Sequence, residues 1–330
     1  MISSEKQLTD YTLNPPDNRV IRIEIPLINA GERLDAALAS LLPDYSRSRI
    51  QTWIRDQGVR VNGKLANAKD RLRGGEQIAL EIEPHPSEMA AEPEAMPLDV
   101  VYEDDSILII NKPAGLVVHP GSGNWHGTLM NGLLHHTPQL THIPRAGIVH
   151  RLDKDTSGLM VVTKTLTAQT HLVRQLQART VKREYLAVTE GLVAQNGRIG
   201  APIGRHPVQR TLMTVHPQGR EAVTHYVVLE HFERHTLLRC VLETGRTHQI
   251  RVHMQHIGHP LVGDPTYNRH AKQALPGGRT FSRQALHAIQ LGLLHPESGE
   301  LMQWQRDPPA DFLLLLEDLR NSNHKDSPFY

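Results

Sequence analysis

A proline- and glutamate-rich segment, EPHPSEMAAEPEAMP at residues 83–97, divides the chain into a short part and a long part. Its four prolines and four glutamates, without a long apolar stretch, are typical of a linker between domains. A chain of 330 residues is long enough to bury two cores. The predicted organisation is a tail at 1–17, a small domain at 18–83, a linker at 84–97, a larger domain at 98–318 and a polar tail at 319–330.

Helical and strand patterns follow one another in the short part. ERLDAALASLL, residues 32–42, has leucines at helical spacing, and SRSRIQTWIRD, residues 46–56, follows a break that contains Pro43. VRVNGK contains the pair Asn62-Gly63, which suits a tight turn, and GGEQIALEIE alternates like a half-buried strand. The short part is therefore predicted to be two helices followed by strands.

Positive charge is concentrated in the short part, although the whole chain has a net charge of only +1. Residues 47–73 contain eight basic and two acidic side chains, a local excess of 8 − 2 = +6. A solvated charged face is one interpretation. Residues 32–83, however, resemble a small RNA-binding domain shared by a small-subunit ribosomal protein, bacterial tyrosyl-tRNA synthetase and several rRNA-modifying enzymes. That resemblance implies RNA contacts from Arg47, Arg49, Arg55, Arg60 and Lys64.

The long part mixes strand and helix patterns without a regular βαβ repeat. LDVVYEDDSILIINKP contains two β-rich runs around an acidic turn, and REYLAVTEG, VTHYVVLEHF and TLLRCVLETG are strand-like. LTAQTHLVRQLQAR and GRTHQIRVHMQHIG have helical periodicity, the second with Thr247 as its predicted N-cap, and DFLLLLEDLR is predicted to dock as a helix. We predict an α+β fold: a mixed, largely antiparallel sheet with flanking helices and a central cleft.

A polar segment, GIVHRLDKDTSG at 147–158, interrupts two apolar runs. Ile148 and Val149 begin this segment and a longer apolar run follows it, so we predict a polar loop held between two buried strands. A carboxylate that acts as a nucleophile must be charged and held in one orientation. Asp153 is the candidate, and Arg251 is a candidate cation, because an arginine beside a partly buried aspartate lowers the pKa of that aspartate.

Four motifs in order carry a wider resemblance: NKPAG at 111–115, GIVHRLDKDTSGLMVVTKT at 147–165, REYLA at 183–187 and ETGRTHQIRVHM at 243–254. Together they resemble the RluA-type family of RNA pseudouridine synthases, over about residues 18 to 315. Within that family, stretches such as DYSRSRI and HPLVGDPTY are similar to a branch that modifies several neighbouring uridines of 23S rRNA.

The resemblance implies a role for four residues. Asp153 would be the catalytic aspartate and Arg251 its ion-pair partner. Tyr185 would stack on the target uracil and is a candidate for taking the proton from C5. Arg151 would fill the space that the flipped uridine leaves in the RNA. Whether Asp153 attacks the sugar, attacks the uracil ring or removes a proton from C2′ stays open.

The resemblance also implies a setting for the reaction. Isomerisation of uridine consumes nothing, so no cofactor and no metal are expected. The expected partner is 23S rRNA or a precursor of the large ribosomal subunit, and the expected state is a monomer in the cytoplasm, with no membrane association. No apolar run approaches the roughly 18 residues of a membrane span. The single cysteine, Cys240, excludes an internal disulfide framework and a cysteine-rich zinc site.

Four alternatives remain at this stage. A related branch of the family has a similar layout and other 23S rRNA sites, and a non-catalytic rRNA-binding assembly factor would use only the basic patch. The pair Asp153 and Asp155 superficially resembles an aspartyl-phosphate phosphotransferase, but that chemistry needs Mg²⁺ and an unbroken strand before the aspartate, and here His150 and Arg151 interrupt the strand. His253, His256 and His259 recur every three residues, as in a zinc site, but no cysteine or carboxylate is spaced to complete the shell.

Overall fold

The computed structural model separates the chain into two compact units, Met1–Glu88 and Met89–Tyr330. The predicted tail at 1–17 lies outside the described residues, as do residues 84–91 of the predicted linker and residues 324–330 of the predicted second tail. The structure describes residues 20–42, 47–56, 58–81, 92–121, 124–209, 211–269, 275 and 278–323.

The first unit is a four-stranded antiparallel sheet, in the order β1-β4-β2-β3, with two helices. Its apolar core joins Leu34 and Leu38 of the first helix to Ile50 and Trp53 of the second and to the sheet. The predicted pair of helices is confirmed. The elements are β1 Val20–Glu24, α1 Leu34–Leu41, α2 Arg47–Arg55, β2 Val59–Val61, β3 Lys64–Leu65 and β4 Gln77–Glu81.

The predicted tight turn joins β2 to β3. Asn62 and Gly63 have φ values of 49° and 78°. Asparagine tolerates the left-handed region better than most residues and glycine enters it freely, so this pair suits a two-residue hairpin turn. The predicted break at Pro43 lies outside the described residues.

The second unit is built on a nine-stranded sheet in the order β5-β6-β7-β14-β8-β13-β12-β9, with β15 paired to β14. The one parallel pairing between its described strands joins β7 to β14. The elements are β5 Val100–Glu103, β6 Ile107–Lys112, α3 Leu129–His136, β7 Ser157–Thr163, α4 Leu166–Gln177, β8 Lys182–Glu190, β9 Gly197–Gly200, β10 Ile203–Arg205, β11 Met213–Val215, β12 Val223–His231, β13 His235–Leu242, α5 Gln249–His256, β14 Leu286–Leu294, β15 Leu301–Gln305 and α6 Ala310–Asn323. The predicted mixed, largely antiparallel α+β fold is confirmed.

Both faces of the large sheet are covered. Along β8, Tyr185 and Ala187 belong to one apolar cluster, whereas Leu186 and Val188 belong to another. This alternation follows from the two-residue period of a strand. Helix α6 covers the second face with the side chains of Phe312, Leu315, Leu316 and Leu319, as predicted for a docking helix.

Two predicted boundaries fall inside ordered structure. Residue 318, the predicted end of the larger domain, lies within α6. At the other end, Met96 packs against Gly132 of α3, and the Glu92 carbonyl accepts a hydrogen bond from Asn131 Nδ2 at 2.8 Å. The last residues of the predicted linker therefore pack on the second unit.

The strand predicted at Ile148 and Val149 is wrong. A turn at Pro144–Gly147, with Arg145 and Ala146 in the left-handed region, precedes this point, and Ile148 makes a single bridge to Val162. Gly147 has a φ of 75°, and a side chain there would collide with the carbonyl of Thr163. The chain therefore crosses β7 closely and turns away, while β7 itself forms as predicted. Among the described residues, no helix is both long and apolar enough to cross a membrane.

Candidate active site

A cleft of about 700 Å³ in the second unit contains the predicted site residues. Its lining includes Asp153 from the loop before β7, Tyr185 from β8 and Arg251 from α5, with Arg151 beside Asp153. The structure therefore brings together all four predicted residues of the larger domain, although Asp153 and Arg251 lie 98 positions apart in the chain.

An ion pair joins the predicted aspartate and arginine. Arg251 Nη1 donates to Asp153 Oδ2 at 3.0 Å, and only 5 % of the Arg251 side chain and 17 % of the Asp153 side chain is exposed. Burial acts to lower the pKa of Arg251, but the carboxylates of Asp264 and Asp153 outweigh burial and raise that pKa. The guanidinium therefore stays charged and holds Asp153 Oδ2 by a charge-assisted hydrogen bond.

Asp264 fixes the orientation of Arg251. Its fully buried carboxylate accepts from Arg251 Nε at 2.7 Å and from Nη2 at 2.9 Å, which leaves Nη1 for Asp153. Asp264 Oδ1 also accepts from the backbone N–H groups of Thr266 and Tyr267, at 2.9 and 3.1 Å. A two-bond arginine–carboxylate pair is geometrically specific, so Asp264 sets the direction in which Nη1 points.

Asp264 and its neighbour Tyr267 were not predicted from the sequence. The guanidinium of Arg251 lies 5.0 Å from the centre of the Tyr267 ring, a cation–π contact. The Tyr267 hydroxyl accepts from the Met213 N–H at 3.0 Å. The available signal was the stretch HPLVGDPTY, in which an apolar pair is followed by an aspartate between glycine and proline. No chemistry could be assigned to that stretch without knowing its distance from Arg251.

The N-cap residue of α5 is His248, so the prediction of Thr247 as the N-cap is wrong. His248 lies in the left-handed region with φ 57°, and its side chain makes no capping hydrogen bond. Its Nδ1 lies 2.8 Å from the Tyr267 hydroxyl and its Nε2 lies 3.9 Å from Asp153 Oδ1. Burial lowers the pKa of His248 despite the nearby Asp153 carboxylate. The backbone turn thus directs a neutral imidazole towards the ion pair.

Tyr185 contributes an aromatic ring to the wall of the cleft. It pairs with Cys240 of β13 and with Ala288 of β14, in the middle of the sheet, and is 6 % exposed. Burial raises the pKa of Tyr185, the Arg183 charge opposes this, and the Asp153 carboxylate adds to it. The phenol is therefore protonated at neutral pH in the absence of RNA.

The loop that carries Asp153 is held from two sides. His150 Nε2 accepts from the Val161 N–H at 3.2 Å, which requires an unprotonated nitrogen. Burial, and secondly the charge of Arg183, lowers the pKa of His150 to about 3. Leu152 is buried and Arg151 is exposed, so the loop directs Arg151 towards solvent at the edge of the cleft.

Lys112, in the NKPAG motif, holds the other side of this loop. Its buried ammonium donates to the carbonyls of Pro113, Leu116 and Lys154, at 2.7, 2.9 and 2.9 Å. Burial lowers the pKa of Lys112 to about 7, while the Asp155 and Asp153 carboxylates act in the opposite direction. Three carbonyl acceptors match the three N–H donors of an ammonium group. NKPAG, to which the sequence analysis assigned no chemistry, therefore anchors the residue that follows Asp153.

The cleft is strongly cationic. Two carboxylates line it, those of Asp153 and Glu243, against seven arginines. A surface of this kind attracts a polyanion and concentrates it at the site. The arginines are Arg145, Arg151, Arg179, Arg183, Arg220, Arg246 and Arg251.

In the first unit, a buried carboxylate engages part of the predicted RNA-binding surface. Asp35 Oδ2 accepts from Arg47 Nε at 3.1 Å and from Arg47 Nη2 at 3.0 Å. The same carboxylate accepts two bonds from Arg33 and one from Gln51. Burial acts to raise the pKa of Asp35, but the hydrogen bonds from Gln51, Arg33 and Arg47 outweigh burial and hold that pKa below its usual value.

The other predicted RNA-binding residues differ in their surroundings. Arg55 is exposed and pairs with the exposed Asp56 at 3.4 Å. Arg60 of β2 and Lys64 of β3 are exposed on the hairpin. The side chain of Arg49 lies outside the described part of the chain.

The three regularly spaced histidines do not form a metal site. Buried His253 lies 2.9 Å from Thr224 Oγ1 through Nδ1 and 2.9 Å from the Ala201 carbonyl through Nε2. His259 Nδ1 lies 2.9 Å from the Glu190 carbonyl. Within the described ranges, no group of three or more histidine, cysteine, aspartate or glutamate side chains is arranged to hold a metal ion.

Two family models match the chain. The model described as RNA pseudouridylate synthase covers residues 106–256, and the S4 domain model covers residues 32–78. The first match spans Asp153, Tyr185 and Arg251, and the second spans the basic patch.

Similar proteins are found among both sequences and solved structures. A protein of Pasteurella multocida is 53 % identical over 305 residues, which cover 90 % of this chain and 94 % of that protein. A protein of Escherichia coli strain K12 is 56 % identical over 306 residues, which cover 90 % of this chain and 94 % of that protein. Both are named "Ribosomal large subunit pseudouridine synthase D". The solved structure "Human RNA Pseudouridylate Synthase Domain Containing 4" is 26 % identical with a TM-score of 0.54, covering 67 % of this chain and 92 % of the human one.

Proposed function

The chain belongs to the RluA-type family of RNA pseudouridine synthases, and we propose that it converts several neighbouring uridines of 23S rRNA to pseudouridine. The large-subunit rRNA as substrate is supported by the names of relatives that are 53 % and 56 % identical over nine tenths of the chain. The proposed targets lie in the stem-loop that bridges the ribosomal subunits, as in the branch of the family to which DYSRSRI and HPLVGDPTY are similar. Other 23S rRNA sites, as in the related branch with a similar layout, are the alternative.

The proposed reaction requires that the target uridine leave the RNA stack. A uracil inside folded RNA cannot expose its ring and its glycosidic bond together, and flipping it out costs a few kcal/mol. The cleft of about 700 Å³ is in the usual size range of small-ligand sites, which supports its use for one extruded nucleotide.

Two side chains are proposed to offset the cost of flipping. Stacking of a base on an aromatic ring contributes about 1–3 kcal/mol, and Tyr185 provides such a ring in the cleft wall. Arg151 is exposed beside the site, where its guanidinium would fill the gap that the uridine leaves in the RNA. Tyr185 would also take the proton from C5, which requires that its phenol first lose its own proton.

Asp153 is the proposed catalytic residue. During the reaction the bond between C1′ and N1 breaks, a bond between C1′ and C5 forms, C5 loses a proton and N1 gains one. Because nothing is consumed, the proposal includes no cofactor and no metal. A carboxylate fixed by Arg251 at 3.0 Å suits attack on the sugar, attack on the ring or removal of a C2′ proton.

The first unit is proposed to bind the same RNA. Its match to the S4 domain supports this, and exposed Arg60 and Lys64 are available for phosphates. We further propose that the protein acts as a monomer in the cytoplasm, where ribosomal subunits are assembled.

The observation that carries the proposal is the contact of Asp153 with Arg251 in a cleft also lined by Tyr185. The test maps pseudouridine in 23S rRNA from cells that lack the chain and express the wild type, Asp153→Asn or Asp155→Asn. Asp155 lies in the same loop but does not line the cleft, so it is the matched control. We expect the wild type and Asp155→Asn to restore pseudouridine and Asp153→Asn to restore none.

Two results would contradict the proposal. Pseudouridine restored by Asp153→Asn would indicate that the carboxylate is dispensable, as in a non-catalytic assembly factor. Loss of activity on purified rRNA in EDTA, together with loss in Asp155→Asn, would favour the phosphotransferase-like alternative, which needs paired carboxylates and Mg²⁺.

A further inference from the structure

Arg183 is a buried cation in the cleft wall, and no carboxylate among the described residues pairs with it. It lies two residues before Tyr185 on β8, so both side chains are on the same face of the sheet, and both line the cleft. Its Nη2 donates to the Glu243 carbonyl at 3.1 Å. Its buried Nε has no hydrogen-bond partner within the described ranges, and among these residues no carboxylate comes within ion-pair distance.

Such an arrangement is unfavourable in the free protein. Only 6 % of Arg183 is exposed, and burial lowers the pKa of Arg183. A buried charge is normally paired, because an unpaired one loses its hydration without compensation. Arg251, in the same cleft, shows the usual solution, with two carboxylates around one guanidinium. Arg183 therefore has donors available for a negatively charged group that the protein itself does not supply.

The backbone around Arg183 leaves room for its guanidinium. A Cβ atom on Gly245 would lie 2.8 Å from Arg183 Nη1, so the loop after β13 passes this nitrogen with bare backbone. The positive charge opposes the burial that raises the pKa of Tyr185 and adds to the burial that lowers the pKa of His150, so the guanidinium is within electrostatic reach of both side chains. It thus lies beside the ring that is proposed to stack on uracil.

Burial separates Arg183 from the exposed arginines of the cleft. Arg151, Arg179 and Arg220 are exposed, where they can meet the phosphates of a bound strand. An extruded base enters deeper than its phosphate. We propose that Arg183 is a further catalytic residue, which donates hydrogen bonds to a carbonyl oxygen of the flipped uracil and stabilises negative charge on the ring. This inference rests on the proposed function.

The chemistry supplies negative charge at the expected place. When the C1′–N1 bond breaks heterolytically, its electron pair stays on N1 and is delocalised over O2 and O4. If Asp153 instead attacks the ring, it bonds to C6 and the electron pair of the ring double bond moves towards O4; the C1′–N1 bond still breaks, and the bond from Asp153 to C6 breaks when the ring double bond re-forms. In either route a pair from C5 then forms the bond to C1′, C5 loses its proton and N1 gains one. Arg183 keeps its own proton throughout, and fixed donors of this kind act where charge develops.

The experiment compares Arg183→Gln with the wild type on 23S rRNA transcripts. Removing one donor that stabilises a developing oxyanion typically lowers the rate by about 10²–10³-fold. We expect a loss of at least about 100-fold in the single-turnover rate at saturating enzyme, with an RNA dissociation constant within about twofold and an unchanged salt dependence of binding. Arg239→Gln is the matched control. Arg239 of β13 pairs with Leu186 of β8, so its side chain lies on the face of the sheet away from Arg183. This variant should react like the wild type.

A second variant separates catalysis from folding. The single-turnover rate of Arg183→Ala should be at least about tenfold higher with millimolar guanidinium than without it, because guanidinium resupplies the missing donor. The melting temperature of the variant should not change. A rate that guanidinium does not restore would indicate a structural role and would overturn the inference.

Two further outcomes are informative. A normal saturating rate in Arg183→Gln, with a salt slope reduced by about one, would assign Arg183 to a phosphate and contradict the inference. No pseudouridine with the wild type would overturn the proposed function and the inference with it, whereas an active wild type and an equally active Arg183→Gln would overturn the inference alone.

Discussion

Each unit of the chain contains a fully buried aspartate that holds arginine side chains, but the two aspartates use them differently. In the first unit, Asp35 accepts bonds from Arg33 and Arg47. In the second unit, Asp264 accepts two bonds from Arg251 and leaves the third guanidinium nitrogen for Asp153. The first carboxylate withdraws cationic donors from a surface, whereas the second aims one donor at another carboxylate.

The difference shows that counting arginines does not reveal their use. Arg47 belongs to the basic patch, yet two of its nitrogens are engaged by Asp35. Arg251 was predicted as the partner of Asp153, yet its orientation depends on Asp264. In both units the deciding residue is a buried carboxylate that a charge pattern does not single out.

The largest effect is expected from Asp264→Asn. The asparagine cannot accept both bonds from Arg251 as a charged partner, so Nη1 would lose its fixed direction towards Asp153. Breaking a buried ion pair by removing one partner costs about 3–5 kcal/mol of folding free energy. We expect the single-turnover rate of pseudouridine formation to fall by at least about 100-fold, because a displacement of a catalytic group by about 1 Å has an effect of this size.

Glu230→Gln is the control for Asp264→Asn. Glu230 accepts bonds from Arg320 at 2.7 to 3.1 Å, but on the exposed surface, where such pairs contribute about 1 kcal/mol or less. It should change neither rate nor stability appreciably. Equal rates for Asp264→Asn and Glu230→Gln would remove the contrast between the two units.

A smaller effect is expected from Asp35→Asn, confined to the first unit. The free energy of unfolding of that unit should fall by about 1–3 kcal/mol, the range for leaving buried donors with poorer partners. Trp53 in α2 can report on this unit alone in a full-length chain with Trp125→Phe and Trp304→Phe, since the chain has three tryptophans. Urea unfolding followed by its fluorescence is the measurement.

The pH dependence of this difference has a definite sign. The pKa of Asp35 is lower in the folded chain than its usual value of 3.8, so its contribution is complete above pH 3.8 and is lost as the pH falls through the folded-state pKa. The difference in the free energy of unfolding between the wild type and Asp35→Asn should therefore be constant from about pH 7 to 5 and become smaller only below about pH 4. A difference that already disappears between pH 7 and 5 would show that the carboxylate is not held as described.

The smallest effect is expected for RNA binding by single surface cations. A plot of log affinity against log salt has a negative slope, and Arg60→Gln combined with Lys64→Gln should make it shallower by up to about two, one for each phosphate that is no longer neutralised. Arg47→Gln should make it shallower by less than one, because Asp35 already engages this guanidinium. The measurement is filter binding of the full chain to 23S rRNA between about 50 and 200 mM salt. Equal slopes for both variants would show that Asp35 does not withdraw Arg47 from the surface.

Much of the fold was predictable, because local periodicity determined it. The helices at Leu34–Leu41 and Arg47–Arg55 and the strand at Lys182–Glu190 follow regular apolar spacing. The strand predicted at Ile148 and Val149 was wrong because an apolar pair has too little periodicity to outweigh the close crossing at Gly147. The N-cap of α5 was misassigned for a similar reason: the left-handed turn at His248 depends on contacts with Tyr267 and Asp153.

The site was predictable where motifs mark it and not where tertiary contacts complete it. Asp153, Tyr185, Arg151 and Arg251 all line one cleft, as the motifs indicated. Asp264 lies 13 residues after Arg251, and its role is recognisable only once the helix that carries Arg251 is placed in the fold. Arg183 lies inside a recognised motif, but the lack of a counter-charge around it in the described part of the chain is a property of the folded cleft.

The central claim is that Asp153 acts on a uridine that has left the RNA stack and entered the cleft. A crystal structure of Asp153→Asn bound to the 23S rRNA stem-loop tests it most directly. The account predicts a flipped uridine stacked on Tyr185, with its C1′, C2′ or ring carbon about 3–3.5 Å from the side chain at position 153, the separation of reacting atoms in a productive complex. A target uridine that stays stacked in its RNA, with the cleft empty, would contradict it.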